Sequence, residues 1–164
     1  MRNDFRRQVV DYRTSEAPGT IIVDTPNTYL YLVMPRRQGD ALRHRRRPRR
    51  FRLVGNARRS SAEAEWPDWT PPPEMIQRQP YLPRFVAGGE TNPLGARAIY
   101  LSGSVYRIHG TNAPDTIGGR VSSGCIRMVN EDVIDLYSRV KVGTKVVVRP
   151  IGDHRAASAA SSVN

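Results

Sequence analysis

Residues 108–128 read IHGTNAPDTIGGRVSSGCIRM, and this stretch holds the only cysteine of the chain and one of its three histidines. His109 closes an apolar, β-branched run, which is typical of the end of a strand. The Asn, Pro and Gly residues between His109 and Cys125 predict turns that can bring the two side chains together. A thiol beside an imidazole suits covalent acyl transfer, in which a thiolate attacks an acyl carbon and the imidazole carries the proton.

Spacing alone leaves simpler interpretations open. A lone cysteine is most often a small buried apolar side chain, and a histidine at a strand end is commonly a satisfied polar residue. A cell-wall peptidase with a Cys–His pair is a further alternative. In papain-like enzymes, however, the cysteine precedes the histidine in the chain, whereas here His109 precedes Cys125. The chain order therefore argues against the peptidase.

The residue types in this stretch are more specific than their spacing. Ile-His-Gly-Thr-Asn at 108–112 and Ser-x-Gly-Cys-Ile-Arg-Met at 122–128 resemble the signature of the L,D-transpeptidase catalytic domain, also called YkuD-like. Residues 92–97 resemble the segment that approaches the site in that family, and residues 130–148 resemble its closing helix and strand. The resemblance implies a mainly β fold, a curved mixed β-sheet or sandwich with one helix after the catalytic Cys loop.

The resemblance also implies an activity. Members of this family cross-link or remodel bacterial peptidoglycan by acyl transfer from tetrapeptide stems through a Cys thioester, and they are carbapenem targets. Cys125 would be the nucleophile and His109 the general base. Many members carry a second histidine directly before the Gly-Cys pair, but this chain has Ser123 there, so His109 is the only candidate base. Neither a cofactor nor a metal ion is expected.

Four further residues are candidates for supporting roles. The family resemblance implies that the carbonyl of Gly110 fixes the imidazole tautomer. The turn at Ser123 and Gly124 can present consecutive amide N–H groups to an oxyanion, and Gly124 lets the backbone approach the substrate closely. Arg127 is expected to pair with a carboxylate of the stem peptide; the alternative is a surface charge or a loop-bracing hydrogen bond.

The chain order predicts one domain with two flanking segments. Residues 1–17 form an N-terminal arm, residues 18–150 the catalytic domain, and the Ala/Ser-rich residues 151–164 a disordered tail. Asn130 is the predicted N-cap of a helix that Gly143 stops. The proline-rich residues 65–83 predict a surface excursion with one helical turn at 73–78, which could flank the substrate groove. Apolar runs predict strands at residues 20–24, 28–34, 96–101, 105–109 and 145–149.

An arginine-rich segment interrupts the pattern. Seven arginines lie between Arg43 and Arg52, with Pro48 among them and no acid, and they supply seven of the eleven net positive charges. We consider a solvated charge run and a patch for anionic polymers or nucleic acid, which would make the chain a basic binding module without catalysis. A third interpretation is a compensated frameshift, which would leave an inactive family member. Like charges and Pro48 both disfavour strand pairing, so residues 43–62 are predicted to form no ordered strands.

Composition sets the remaining expectations. The chain has 164 residues, 38% of them hydrophobic, which suits one modest domain that we expect to be a monomer. No apolar run is long enough for a transmembrane segment, and the N-terminus lacks the apolar stretch of a secretory signal. The resemblance nevertheless implies the periplasm or cell envelope and peptidoglycan stem peptides as partners. No specific nucleic-acid partner is expected, because binding through the arginine run alone would be weak and salt-dependent.

Overall fold

The computed structural model describes residues 7–25, 29–35, 38–43, 56–62, 65–104, 106–117 and 125–149. This part of the chain forms nine strands and two α-helices, with a short 3-10 turn at Pro114–Thr116. The strands are β1 (Gln8–Asp11), β2 (Ile21–Asp24), β3 (Tyr29–Val33), β4 (Gln38–Arg43), β5 (Asn56–Ala62), β6 (Ala98–Leu101), β7 (Arg107–His109), β8 (Ile126–Arg127) and β9 (Lys145–Arg149). The helices are α1 (Pro73–Arg78) and α2 (Asn130–Arg139).

The strands form one mixed, open sheet in the order β1-β4-β3-β2-β9-β5-β6-β7-β8. The pairs β2–β9 and β7–β8 are parallel and the others antiparallel. The predicted hairpins β2–β3 and β6–β7 are both present. The mainly β, mixed-sheet fold predicted from the sequence is thus confirmed, and the two catalytic candidates lie at the β7–β8 edge.

The principal core lies between the sheet and α2. Its helical contribution comes from Val133 and Leu136, which are fully buried, and from Val140 just after the helix. These residues follow the helical spacing read from the sequence. The strand residues that pack against them include Ile21, Val23, Leu30, Ile99, Ile108, Ile126 and Val146. Because Ile108 and Ile126 point into this core, the residues next to them on β7 and β8 point to the other face of the sheet.

The first correction concerns the N-terminal arm, which contains a strand. β1 pairs antiparallel with β4 at the edge of the sheet, with Gln8 opposite Ala41 and Asp11 opposite Gln38. Tyr12 follows it and stacks on Tyr31, their ring centroids 4.2 Å apart. Its residues are mostly exposed, so no apolar alternation in the sequence predicts this strand.

The second correction concerns residues 43–62. The prediction of no ordered strand is wrong for β5, Asn56–Ala62, which pairs with β9 on one side and β6 on the other. The arginine run ends at Arg52, before β5 begins, and backbone pairing on both sides does not require apolar residues. A register shift between Arg59 and Ser61 interrupts the β5–β6 pairing. Residues 44–55, with most of the arginine run, lie outside the described residues.

The proline-rich excursion forms as expected. α1 spans Pro73–Arg78 with a proline in its first turn, and an isolated antiparallel bridge joins Trp69 to Val86. The tail at 151–164 lies outside the described residues. The longest helix described, α2, has 10 residues, and no described helix is long and apolar enough to cross a membrane.

Candidate active site

His109 ends strand β7 and is buried there. It pairs with Ala98 of β6 on one side and with Arg127 of β8 on the other. Its Nδ1 lies 2.6 Å from the carbonyl oxygen of Gly110. Because a carbonyl can only accept a hydrogen bond, Nδ1 carries the proton in this contact. In the neutral ring, Nε2 then keeps its lone pair and can accept a proton from another group.

Burial lowers the pKa of His109 from 6.5 to about 4. The positive charges of Arg127 and Arg107 act in the same direction, while the backbone contacts with Gly110 and Leu94 oppose them. The imidazole is therefore neutral at pH 7, which is the form that a general base requires.

The depressed pKa of His109 predicts that acid destabilises the fold. Above pH 6.5 the ring is neutral whether the chain is folded or unfolded, so no stability difference arises. As the pH falls from 6.5 towards 4, His109 binds a proton in the unfolded chain but not in the folded one. The free energy of unfolding therefore falls by up to about 3 kcal/mol. Urea unfolding at pH 7.5 and at pH 4.5 measures this loss.

The matched control for that measurement is His109→Gln, because protonation of Asp132 changes the stability of the fold in the opposite direction. Burial raises the pKa of Asp132 from 3.8 to about 6, so its protonation favours the folded state over part of the same range. The difference between wild type and His109→Gln removes this contribution. Equal losses of stability in the two proteins would show that His109 does not titrate with a depressed pKa.

Cys125 directly precedes β8 and is partly exposed. The parallel register places Ile108 opposite Ile126 and His109 opposite Arg127. Since Ile108 and Ile126 face the core, alternation puts His109 and Arg127 on the other face. Cys125 lies one residue before β8, and strand alternation continued by that residue would put its side chain on the same face as Arg127. The positive charge of Arg127 lowers the pKa of His109. The pKa of Arg127 is itself lowered by burial and raised by the charge of Cys125.

Asn130 holds the backbone around His109 and Gly110. Its Oδ1 accepts hydrogen bonds from the backbone N–H groups of Ala96, at 3.0 Å, and Thr111, at 3.1 Å. The expected N-capping role is wrong, because α2 begins at Asn130 and no side chain caps it. The side chain instead ties α2 to the ends of two other segments, a contact between remote parts of the chain that local sequence does not reveal.

Two glycines make that junction possible. Gly95 has φ +64°, and a Cβ there would lie 2.3 Å from both Asn130 Oδ1 and Thr111 N. A Cβ on Gly110 would lie 2.2 Å from the same Oδ1. The Gly110 N–H also donates to the carbonyl of Arg97, at 3.0 Å. The carbonyl that contacts His109 therefore belongs to a backbone fixed on several sides.

We predict that Asn130→Ala destabilises the protein by about 2 kcal/mol. The change leaves the N–H groups of Ala96 and Thr111, both buried residues, without their acceptor. Urea denaturation measures the loss, and Asn130→Asp should recover most of it because a carboxylate oxygen can accept both bonds.

Asn112→Ala is the matched control for Asn130→Ala. Asn112 is exposed and its Nδ2 donates to the carbonyl of Thr91. Its replacement should change the free energy of unfolding by about 0.5 kcal/mol or less. Similar losses for the two alanine variants would contradict a special role for the Asn130 junction.

The segment before β6 lies against the imidazole and is itself well ordered. Asn92 is fully buried; its Nδ2 donates to the carbonyls of Val86 and Ala87, and its Oδ1 accepts from the N–H of Leu94. A backbone hydrogen bond of Leu94 in turn raises the pKa of His109, against the larger effect of burial. Residues 92–97 are those whose resemblance to the family predicts the approach to the site.

Two of the predicted site residues cannot be placed. Ser123 and Gly124 lie outside the described residues, so the oxyanion-binding turn stays a prediction. Arg127 is half-buried and faces the same side as His109. Within the described ranges, no three His, Cys, Asp or Glu side chains group as a metal site would need.

Comparison with known proteins identifies the family. Residues 18–148 match the model of YkuD, the L,D-transpeptidase catalytic domain. The probable L,D-transpeptidase ErfK/SrfK of Escherichia coli K12 is 50% identical over 88 residues, which are 51% of this chain and 28% of that protein. The chain thus spans under a third of the length of that curated relative.

Two solved structures resemble the fold. One, from Brucella melitensis, is described as a probable carnitine operon oxidoreductase caia. It is 42% identical in sequence, with a TM-score of 0.60, and the superposition covers 91% of this chain and 96% of the Brucella chain. An L,D-transpeptidase from Mycobacterium smegmatis, at 17% identity and a TM-score of 0.51, covers 79% of this chain and 58% of its own, and supports the fold alone. Because the family match extends over most of the chain and includes both His109 and Cys125, this chain belongs to the YkuD family of L,D-transpeptidase catalytic domains.

Proposed function

We propose that this protein is a peptidoglycan L,D-transpeptidase that transfers an acyl group through a thioester on Cys125. The observation that carries the proposal is the contact between His109 Nδ1 and the Gly110 carbonyl. It leaves Nε2 as a proton acceptor on the face of the sheet to which Cys125 projects. The Brucella structure is named after an oxidoreductase, but the family match points to acyl transfer, and a thiol–imidazole pair suits that chemistry.

The first half-reaction forms the thioester. His109 Nε2 takes the thiol proton, and the Cys125 sulfur attacks the carbonyl carbon of the third residue of a tetrapeptide stem. The carbonyl oxygen becomes an oxyanion, for which we assign the amides of the Ser123–Gly124 turn as donors. When the intermediate collapses, the C–N bond to the terminal D-Ala breaks, His109 returns the proton to the leaving amine, and D-Ala departs.

The second half-reaction releases the acyl group to an acceptor. An acceptor amine attacks the thioester, His109 removes its proton, and the C–S bond breaks to give a new amide and the Cys125 thiolate, which is reprotonated. The acceptor is a diamino-acid side chain of another stem, an envelope-protein lysine, a free D-amino acid or, in hydrolysis, water. These substrates place the working protein in the periplasm or cell envelope.

Arg127 is assigned to the donor peptide. It lies on the face that holds His109 and projects from the strand that follows Cys125, and a guanidinium pairs well with a carboxylate. We assign it the terminal carboxylate of the departing D-Ala, which lies a fixed few bonds from the attacked carbonyl. This contact would position the scissile bond over the sulfur.

The direct test is release of D-Ala from a synthetic tetrapeptide stem by the purified protein. Stoichiometric or catalytic release, together with an acyl adduct in the intact mass, is the expected result. A folded protein that neither releases D-Ala nor acquires the adduct, with free amines of each acceptor class present, would overturn the proposal.

A further inference from the structure

Strand β1 forms one open edge of the nine-stranded sheet. It stands first in the strand order, and β4 is its only partner among the strands that the structure describes. Its four residues keep an unbroken register against β4, so no bulge distorts the strand. Residues 7–11 contain neither proline nor lysine, two residues that commonly block an edge against pairing. The outer backbone N–H and C=O groups of β1 can therefore pair with a further strand.

The side chains of this edge divide between the two faces of the sheet. Val10 packs with the cluster of buried tyrosines on one face, and strand alternation puts Val9 and Asp11 on the other. Arg7, one residue before the strand, also reaches the second face, because its guanidinium lies 2.6 Å from Asp135 of α2. Val9 is 59% exposed, and Asp11 is exposed as well. This face of the edge thus presents a cation, an apolar side chain and an anion at alternate positions.

The sequence of this edge is complementary to itself when two copies run antiparallel. A two-fold axis through Val9 sets this residue opposite Val9 of the second copy. The same axis sets Arg7 of each copy opposite Asp11 of the other, which gives two ion pairs. An axis through a residue keeps the outer backbone groups of both strands in phase, because alternate residues direct these groups to the same side. Moving the axis by one residue would set Arg7 opposite Arg13 or Val9 and lose both ion pairs.

We propose that two copies of this chain pair antiparallel through β1, with the two-fold axis at Val9, and join their sheets into one. The interface combines backbone hydrogen bonds, the contact between the two Val9 side chains and two ion pairs between Arg7 and Asp11. Arg7 can bind Asp135 of its own chain and Asp11 of the second copy together, because a guanidinium has five N–H donors. The contact is small, so the dimer forms weakly and reversibly. It replaces the monomer that composition favours and does not depend on the catalytic assignment.

Sedimentation velocity over a series of concentrations tests this interface on the full chain. Wild type should change from a monomer of 18.4 kDa towards twice that mass between about 10 μM and about 1 mM, the range expected for a small interface. Val9→Lys sets two like charges against each other at the axis and should weaken the dimer at least about 10-fold. Val142→Lys is the matched control, because Val142 follows α2 and is 56% exposed against 59% for Val9. It should leave the association unchanged.

Two charge reversals identify the register. Asp11→Arg and Arg7→Glu each turn both ion pairs of the homodimer into like-charge pairs, so each variant alone should associate at least about 10-fold more weakly than wild type. In an equimolar mixture of the two variants, both positions again hold opposite charges, and a mixed dimer should form. Arg7→Glu also loses the ion pair with Asp135, so urea unfolding of each variant checks that the fold survives. If Arg7→Glu does not fold, Val9→Lys and Asp11→Arg decide the question.

A wild type that stays monomeric at about 1 mM would overturn the inference. A dimer that Val9→Lys leaves intact, or that two folded charge variants fail to restore when mixed, would overturn it as well. Assemblies larger than a dimer would mean that β1 pairs with a different surface, and they too would contradict the two-fold pairing. None of these outcomes bears on the release of D-Ala, so the interface and the proposed chemistry are tested separately.

Discussion

Replacing Cys125 with alanine is expected to lower D-Ala release from a tetrapeptide stem by at least about 10,000-fold, to the background of the assay. The reason is that the thioester cannot form without the sulfur, and removing a covalent nucleophile has effects of this order or larger. Cys125 is the only cysteine of the chain, so no other thiol can substitute for it. Intact mass spectrometry with a carbapenem should show one inhibitor on wild type and none on the variant.

The control for this prediction is the fold of the variant. Cys125 is partly exposed, so the loss of its sulfur should change the free energy of unfolding by about 1 kcal/mol or less. Cys125→Ser keeps the shape of the site but has a far weaker nucleophile, and should be equally inactive with the carbapenem. A carbapenem adduct that persists on Cys125→Ala would place the nucleophile on another residue.

Much of the fold could be predicted because its core elements are strongly patterned. The β-branched runs of β2, β3 and β9 are buried strands, and the spacing of Val133, Leu136 and Val140 gives the buried face of α2. In these elements local propensity, apolar pattern and turn residues agree. The sequence could not give the sheet order, in which β9 pairs parallel to β2 and β5 joins the two halves, because such pairing depends on contacts between remote segments.

The elements that sequence reasoning missed are strands stabilised by backbone pairing. β1 exposes most of its residues, so no alternating pattern marks it. β5 follows an arginine run in which like charges disfavour strand pairing, but that run ends at Arg52, before β5 begins. Both strands form because neighbouring strands offer hydrogen-bond partners: β4 for β1, and β9 and β6 for β5.

At the site, the sequence identifies the candidate catalytic groups, and the structure shows the hydrogen bonds and close contacts that hold them in place. His109 and Cys125 stand out as a rare pair in a distinctive stretch, and the family resemblance suggested the carbonyl of Gly110. The roles of Asn130 and Gly95 could not be predicted, because they depend on hydrogen bonds and close contacts among three segments.

Replacing His109 with glutamine is expected to lower kcat/KM for D-Ala release by about 100- to 10,000-fold, the usual contribution of a general acid–base group. Glutamine approximates the volume of the buried ring and cannot take the thiol proton. In wild type, the pKa of about 4 predicts that kcat/KM falls with acid only below about pH 5, and this acid limb should be absent from the variant. His109→Ala leaves a cavity at the end of β7, and added imidazole should restore part of its activity. If His109→Gln keeps near-normal turnover with an unchanged pH profile, the base is another group and the Gly110 contact serves only the fold.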